Sequence, residues 1–399
     1  MTIGNPTLDI SSNSNSVGAT LLVLVAEMTP DLLEGILSNL ARLSASLPGE
    51  GLLVATPDPL PADSFPPLRI IPAPRTNASW TLTAADFANA HQLAQKNETR
   101  AVLILGPESS SLSPSALRDL ADAVLANPID LVVPRYDLPT RSGLVNSAIL
   151  YPLTRALFSS RIRFPLAIDL GLSLRMVERL ANAAQRSISL HQADALVWPV
   201  DEAVITGFAI SEVDVGRRDL PQPAEPDINA ILARVTGSLF ADIDAKAAFW
   251  QRARALPPAR NPTPGPSATD GTADIASMLE AFRLAYTNLR EIWSLVLPPN
   301  SLLGLKRLSV TDTASFRLPD SLWARIVFDF LLAYRLRTIN RGHLLGALIP
   351  LYLAWVASHI NVTLSGTGSE DHIEAVAAAF EVEKPYLVSR WRWPDRFNP

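Results

Sequence analysis

"AVLILGPESSSLSPSALRDLADAVLANPIDLVVPRYD" (residues 101–137) holds one strand–helix–strand unit and decides the fold class of the chain. Its first apolar run predicts a buried strand that ends abruptly at Gly106-Pro107. A Ser-Pro pair then begins a helix over 113–127, and a second apolar strand is predicted over 130–136. Short apolar strands separated by helices indicate βαβ units and a mainly parallel sheet.

The same alternation runs through the first half of the chain. Further strands are predicted at 19–27, 51–58 and 68–74, and further helices at 30–47 and 83–97. In such sheets, ligands bind at the carboxyl ends of the strands. The loops "TPDP", "GPESS" and "PRYD", each of which follows a predicted strand, are therefore the candidate site.

The remaining pattern divides the chain into four predicted parts. They are a disordered lead at 1–17, an α/β domain at 18–255, a proline-rich linker or loop at 256–272 and a helical domain at 273–399. Within the α/β domain, the segment after residue 140 is mixed, with helical stretches at 146–159, 174–186 and 227–255. The predicted architecture is a parallel sheet flanked by helices, followed by an all-helical region.

Composition excludes several classes of function. The 399 residues carry a net charge of −5, which gives no basic field for nucleic acid. The absence of cysteine excludes disulfides, thiolate metal sites and cysteine nucleophiles. The first residues lack the basic and apolar parts of a signal peptide, and the apolar stretch 344–360 fits a buried helix better than a membrane span. We therefore expect a cytoplasmic protein.

Three stretches carry a resemblance to a known family. They are "DLVVPRYDLPTRSGLVNSAILYPLTRALFSSRIRFPLAIDLGLSLRMVERL" (130–180), "FRLPDSLWARIVFDFLLAYRLRTINRGHLLGALIPLYLAWVAS" (316–358) and "AVLILGPESSSLSPSAL" (101–117). They resemble bacterial glycosyltransferases of the GT-A fold that are related to glucosyl- and mannosylglycerate synthases and glucosyl-3-phosphoglycerate synthases. The resemblance implies a Rossmann-like GT-A sheet. It also implies transfer of a hexose, with retention, from a nucleotide diphosphate sugar to a glycerate-like acceptor. A Mg²⁺ or Mn²⁺ ion held by carboxylates would neutralise the diphosphate leaving group.

Carried over to this chain, the resemblance indicates degenerate metal and nucleotide motifs. The two aspartates of the family's D-x-D motif correspond to Gly106 and Glu108, so one carboxylate remains. The family's later metal-binding histidine corresponds to Asp214, which makes Glu108 and Asp214 the candidate metal ligands. The alternative for this pair is a solvated glutamate and a turn aspartate.

The resemblance assigns further residues to the donor sugar nucleotide. Asp58 and Arg75 lie in the two loops that hold the nucleotide, although Asp58 also suits a turn between prolines. Arg135, at the end of a strand, suits a phosphate or a surface ion pair equally well. Glu108 completes this nucleotide-sugar set.

The remaining assignments concern catalysis and the acceptor. Asp169, in "AIDLGLS", is the candidate catalytic residue that contacts sugar or acceptor, or else it caps the following helix. Tyr136, Arg341 and His343 are the candidate acceptor-binding residues, with a buried structural histidine as the alternative for His343.

Two functions from different classes follow from these residues. The first is a retaining hexosyltransferase, whose activity depends on what replaces the D-x-D motif. In a metal-independent form of this hypothesis, Arg135 or Arg75 takes the place of the metal ion. The second is a catalytically inactive homologue that acts as a binding or scaffold protein. The expected partners are a nucleotide sugar and a small acceptor, with a second copy of the chain or an active paralogue as a protein partner.

Overall fold

A computed structural model describes residues 20–46, 51–57, 65–66, 68–76, 80–126, 128–220, 228–254 and 274–394. The predicted lead at 1–17, the predicted linker at 256–272 and the candidate nucleotide residue Asp58 lie outside these ranges.

Seven strands form one sheet in the order β3-β2-β1-β4-β6-β5-β7. Their bounds are β1 Leu21–Val25, β2 Leu52–Thr56, β3 Arg69–Pro72, β4 Ala101–Leu105, β5 Leu131–Asp137, β6 Asp169–Ser173 and β7 Ile210–Arg217. Only β6 is antiparallel, and it pairs with β4 on one side and β5 on the other. Strands β1, β2 and β4 are buried along their whole length, which explains why they consist of continuous apolar runs.

In the described residues up to 254, eight helices accompany the strands of the sheet. They are α1 Pro30–Ser46, α2 Ala84–Lys96, α3 Pro114–Leu125, α4 Tyr151–Phe158, α5 Leu174–Ile188, α6 Pro199–Thr206, α7 Ile228–Ala245 and α8 Ala247–Trp250. The predicted Ser-Pro helix start is confirmed at α3, where the Ser113 hydroxyl accepts a hydrogen bond from the Ala116 amide at 3.1 Å. Just before α4, residues Asn146–Leu150 form a π-helical turn.

The C-terminal region is entirely helical in the described residues, as predicted. Its helices are α9 Ile275–Asn288, α10 Arg290–Val296, α11 Pro299–Ser309, α12 Asp320–Leu336, α13 Arg341–Leu364 and α14 Ser369–Arg392. Helix α13 is the one described helix that is long and apolar enough to cross a membrane, but 72% of its apolar window is buried inside the protein. It packs against α7, α9, α12 and α14, as a core helix does.

The molecule has two main hydrophobic cores. One lies between the sheet and helices α1 to α3 and α5. The other joins the π-helical turn, α4 and α7 to the C-terminal helices. The Trp323 indole of α12 donates to the carbonyl of Ala148 in the π-helical turn at 2.8 Å. Packing thus connects the segment around α4 to the C-terminal helices. The domain boundary predicted at 256–272 stays a prediction.

Strands β6 and β7 were not predicted from the sequence. Strand β6 has five residues and contains Gly171, which weakens its strand pattern. The glycine is required because a Cβ there would lie 2.9 Å from Val124 Cβ and 3.0 Å from Val132 Cβ. Helix α3 thus approaches the sheet closely at residue 171.

We expect Gly171→Ala to lower the free energy of unfolding by about 1–3 kcal/mol, because the added methyl group overpacks this contact. Gly346→Ala is the matched control, since a Cβ on this exposed residue of α13 meets nothing within 4 Å. That variant should be neutral or stabilising by up to about 1 kcal/mol. Urea denaturation measures both, and equal effects would contradict the assigned packing.

Candidate functional site

A buried ion pair lies at the carboxyl edge of the sheet, where the sequence predicts the site. Asp169 begins β6 and pairs in register with Leu105, the last residue of β4. Arg218 follows β7 directly. The Arg218 Nε lies 2.9 Å from Asp169 Oδ2, and both side chains are 0% exposed.

Every lone pair of the Asp169 carboxylate is used. Oδ1 accepts from the Gly106 amide at 3.0 Å and from Arg218 Nη2 at 3.2 Å. Oδ2 accepts from the Tyr136 hydroxyl and from Arg218 Nε, each at 2.9 Å. Burial and the adjacent Asp169 carboxylate raise the pKa of the Tyr136 phenol well above its usual value, so Tyr136 stays protonated as a donor. Asp169 is thus held as a structural anion.

All five N–H groups of Arg218 donate as well. Two of them, on Nε and Nη2, donate to Asp169, as described above. The other N–H of Nη2 donates to the Pro107 carbonyl and one N–H of Nη1 donates to the Asp219 carbonyl, each at 2.7 Å. The fifth donates to the Ser111 hydroxyl at 3.2 Å. Although burial disfavours its charge, Asp169 raises the pKa of the guanidinium above its ordinary value. No N–H remains on Arg218 to hold a phosphate.

The segment Gly106-Pro107-Glu108 fits this ion pair. A Cβ on Gly106 would lie 2.7 Å from the Ile168 carbonyl oxygen, so no side chain fits there. Glu108 adopts a left-handed backbone with φ 60°, in the turn that directs the Pro107 carbonyl to Arg218. An aspartate at position 106 would therefore clash with the start of β6.

The two predicted metal ligands do not form a metal centre. Asp214 is an exposed residue of β7, and its Oδ1 accepts from the Gly216 amide at 3.1 Å. Glu108 lies near Arg218, whose charge it reinforces. Among the residues that the structure describes, no group of three histidine, cysteine or acidic side chains could hold an ion. In the described ranges no third ligand joins Glu108 and Asp214, so these two carboxylates alone do not make a site that fits a divalent metal, and their role stays a prediction.

The predicted nucleotide residues are dispersed. Arg75 forms an ion pair with Glu27 at 3.0 Å, with its side chain 61% exposed. Arg135 is exposed near the end of β5 and interacts electrostatically with Glu212 and Glu370. The two arginines have different acidic neighbours, and their roles toward a nucleotide stay predictions.

The predicted acceptor residues fall into two groups. Tyr136 is buried at the ion pair, whereas Arg341 and His343 lie in the first turn of α13. The Arg341 guanidinium lies over the Tyr334 ring, 4.0 Å from its centroid. His343 is exposed, so it is not the buried structural histidine considered as the alternative.

A cavity of about 540 Å³ lies beside the ion pair, between the sheet edge and the C-terminal helices. It is lined mainly by apolar side chains: Trp80, Leu144, Val145, Leu150, Phe164, Leu166, Ile168, Leu220, Ile231, Val235, Met278, Leu353 and Val356. The π-helical turn contributes to its wall, and such turns occur frequently at functional sites. The predicted acceptor residue Arg341 is on the same helix as the cavity residue Tyr352. The two are about 16 Å apart along the axis of α13, given a rise of 1.5 Å per residue.

Two tyrosines face the cavity in different ways. The Tyr136 ring forms part of the wall and packs on Phe164 at 5.0 Å, while its hydroxyl is bonded to Asp169. Tyr352 is 4% exposed, and its hydroxyl has no hydrogen-bond partner among the described residues. Burial alone raises its pKa. Tyr352 is therefore a neutral phenol with an unused hydrogen-bonding group.

A pair of buried histidines lies at the junction of α12, α13 and α14. His359 Nδ1 is 2.7 Å from His372 Nδ1. The outer nitrogens reach Ser369 Oγ at 3.2 Å and Asp320 Oδ1 at 3.3 Å. Sequence reasoning found no cluster around His372, because its partners His359 and Asp320 lie on two other helices, α13 and α12.

Sequence reasoning also missed Arg218 and Tyr352. "ISEVDVGRRDL" (210–220) contains an alternating stretch followed by two arginines, a signal for a strand that ends beside a charged group. Tyr352 lies within an apolar stretch, where nothing marks its hydroxyl as unpaired. Both residues become visible only when the sheet edge and α13 are brought together.

We expect Arg218→Met to lower the free energy of unfolding by about 3–5 kcal/mol, because it leaves Asp169 buried without its counterion. The double variant Asp169→Asn/Arg218→Met should cost less than the sum of the single variants. The exposed pair Glu27 and Arg75 is the control, and its Glu27→Gln/Arg75→Met cycle should give a coupling below about 1 kcal/mol. Urea unfolding measures both cycles, and additive effects at 169 and 218 would contradict the ion pair.

Burial, together with the neighbouring His372, lowers the pKa of the His359 imidazole from 6.5 to about 4. The unfolded chain therefore binds a proton near pH 6.5 that the folded chain excludes until about pH 4. Stability should fall as the pH drops through this window, with a slope of up to about 1.4 kcal/mol per pH unit from this group.

We expect His359→Gln to show a shallower loss of stability than the wild type between pH 6.5 and 4. His343→Gln, which replaces the exposed histidine of the same helix, should keep the wild-type slope. Urea unfolding at each pH gives the three slopes. A wild-type slope in His359→Gln would show that this histidine does not carry the effect.

No family model matches the chain, and no curated protein matches it. Among solved structures, it is similar to glucosyl-3-phosphoglycerate synthase from Mycobacterium tuberculosis. In complex with phosphoglyceric acid, that protein is 14% identical, with 57% of this chain and 79% of that chain covered and a TM-score of 0.35. In complex with Mn²⁺, UDP and glucosyl-3-phosphoglycerate, it is 15% identical, with 56% and 80% covered and a TM-score of 0.37. Both similarities are distant.

Proposed function

We propose that the chain is a non-catalytic binding protein on a glycosyltransferase-like scaffold. One observation carries this proposal, namely the buried Asp169–Arg218 pair at the carboxyl edge of the sheet. Metal-dependent glycosyl transfer needs carboxylates that are open to a cation. Here the one buried carboxylate at this edge is neutralised by a protein cation whose donors are all used.

The binding role is supported by the cavity next to this pair. Its volume of about 540 Å³ is in the ordinary range for small-molecule sites. A second copy of the chain or an active paralogue is the protein partner that the sequence predicts, and it belongs to this proposal as a hypothesis.

Hexose transfer to a glycerate-like acceptor without a metal is the second candidate. The exposed position of Arg135 near the carboxyl end of β5 favours it, because a cation there could neutralise a diphosphate. Arg75 is less suited, since Glu27 already pairs with it.

Thermal unfolding in the presence of UDP-glucose or GDP-mannose, each with and without Mn²⁺, tests the proposal. We expect no metal-dependent rise in Tm and no release of UDP or GDP when glycerate or 3-phosphoglycerate is added. Stabilisation and turnover without metal would favour the second candidate. Stabilisation that requires Mn²⁺ would overturn the proposal.

Glu108→Ala identifies the site if metal-dependent binding is found, since it removes the carboxylate that remains of the D-x-D motif. Glu98→Ala is its matched control. Glu98 also has a left-handed backbone, with φ 51°, but it lies before β4, at the opposite edge of the sheet. A metal response that is lost in Glu108→Ala and kept in Glu98→Ala would locate an altered metal site at Glu108.

A further inference from the structure

We propose that the cavity beside the buried ion pair binds a mostly apolar organic molecule that presents one hydrogen-bonding oxygen to Tyr352. This inference rests on the proposed binding function and names its class of ligand. Three properties of the cavity carry it: its lining, its separation from the buried charges and the unused hydroxyl of Tyr352.

The lining selects against sugars and nucleotides. Most of the described side chains that line the cavity are aliphatic or aromatic, and they come from the sheet edge, α7, α9 and α13. Against this wall most of the polar groups of a sugar or a nucleotide would lose their water without a compensating partner, because few of the described lining side chains are polar, among them Arg141, Ser142 and Asn146. An apolar body gains free energy from the same wall in proportion to the area that it buries.

The charges of the sheet edge do not reach the cavity. Asp169, Arg218 and Glu108 are absent from its lining. The Tyr136 ring stands between the ion pair and the cavity, because its hydroxyl binds Asp169 while its ring lines the wall. Among the described lining residues, Arg141 is the one with a charged side chain. The cavity therefore suits a ligand of low charge.

Tyr352 supplies the polar anchor. The residue is 4% exposed and lines the cavity from the middle of α13, and its hydroxyl has no partner in the described part of the chain. A ligand oxygen at hydrogen-bond distance could use this hydroxyl, and such a bond would add to the affinity. A small number of placed polar groups within an apolar wall is the usual composition of a small-molecule site, and Arg141 and Asn146 are further polar side chains of this one.

2-Naphthol and naphthalene are matched probes, because they differ by one hydroxyl group. Calorimetric titration of the full chain should show that both bind, with 2-naphthol the tighter ligand. The emission of bound 2-naphthol should move to the band of the neutral molecule, since an apolar site withholds the water that accepts its proton in the excited state. Glucose and UDP-glucose serve as polar controls and should not compete.

Two variants locate the binding. Tyr352→Phe should weaken 2-naphthol about 5-fold and leave naphthalene within about 2-fold, because it removes one hydrogen bond and keeps the ring. Tyr286→Phe is the matched control on α9, outside the cavity lining, and should change neither affinity. Leu353→Trp fills the cavity and should weaken both probes at least about 10-fold.

Leu284→Trp is the control for the filling variant, since Leu284 is 62% exposed and away from the cavity. Far-UV circular dichroism and Tm confirm that each variant is folded before it is titrated. If neither probe binds the folded wild type, or if Leu353→Trp binds both as the wild type does, the inference is wrong. Neither result would contradict the proposed function, because the absence of metal-dependent transfer is tested separately with nucleotide sugars.

Discussion

The ion pair between Asp169 and Arg218 is the constraint on which the sheet edge depends. A carboxylate and a guanidinium with 0% exposure are stable together only if every donor and acceptor is used, because no water is available to replace a missing bond. This requirement fixes the ends of four strands at once. Asp169 begins β6, Gly106 follows β4, Tyr136 belongs to β5, and Arg218 follows β7. These four strand ends therefore cannot move independently.

This arrangement also limits the chemistry of the edge. A metal ion would have to displace the Arg218 guanidinium from Asp169, and a diphosphate would have to displace Asp169 or the Pro107 carbonyl from Arg218. The segment Gly106-Pro107-Glu108 fits this ion pair, because the glycine avoids a clash with Ile168 and the Pro107 carbonyl accepts from Arg218. The polar groups at this edge of the sheet hold the ends of the strands together.

The cavity has a different origin. It exists because the second hydrophobic core joins the π-helical turn and α7 to the C-terminal helices, and α13 crosses the gap beside the sheet edge. Trp323, bonded to the Ala148 carbonyl, ties that turn to α12. Tyr136 separates the two environments, with its hydroxyl in the polar network and its ring in the apolar wall. The Tyr136 side chain therefore lies between the buried ion pair and the apolar wall of the cavity.

The sequence by itself determined the local elements: the five strands with continuous apolar runs, the Ser-Pro start of α3 and the helical C-terminal region. These are set by short-range periodicity and capping, which a single stretch of chain contains. The resemblance also drew attention to position 106, where it leads one to expect an acid, and to Asp169.

Tertiary structure alone decided what surrounds those positions. Asp169 and Arg218 are 49 residues apart in the chain, and they lie at the start of β6 and directly after β7, two strands with weak local patterns. The surroundings of Tyr352, whose hydroxyl has no partner among the described residues, likewise depend on how α13 packs. The ion pair and the hydrogen bonds of these side chains depend on burial and on contacts between distant parts of the chain. A local stretch of sequence contains neither kind of information.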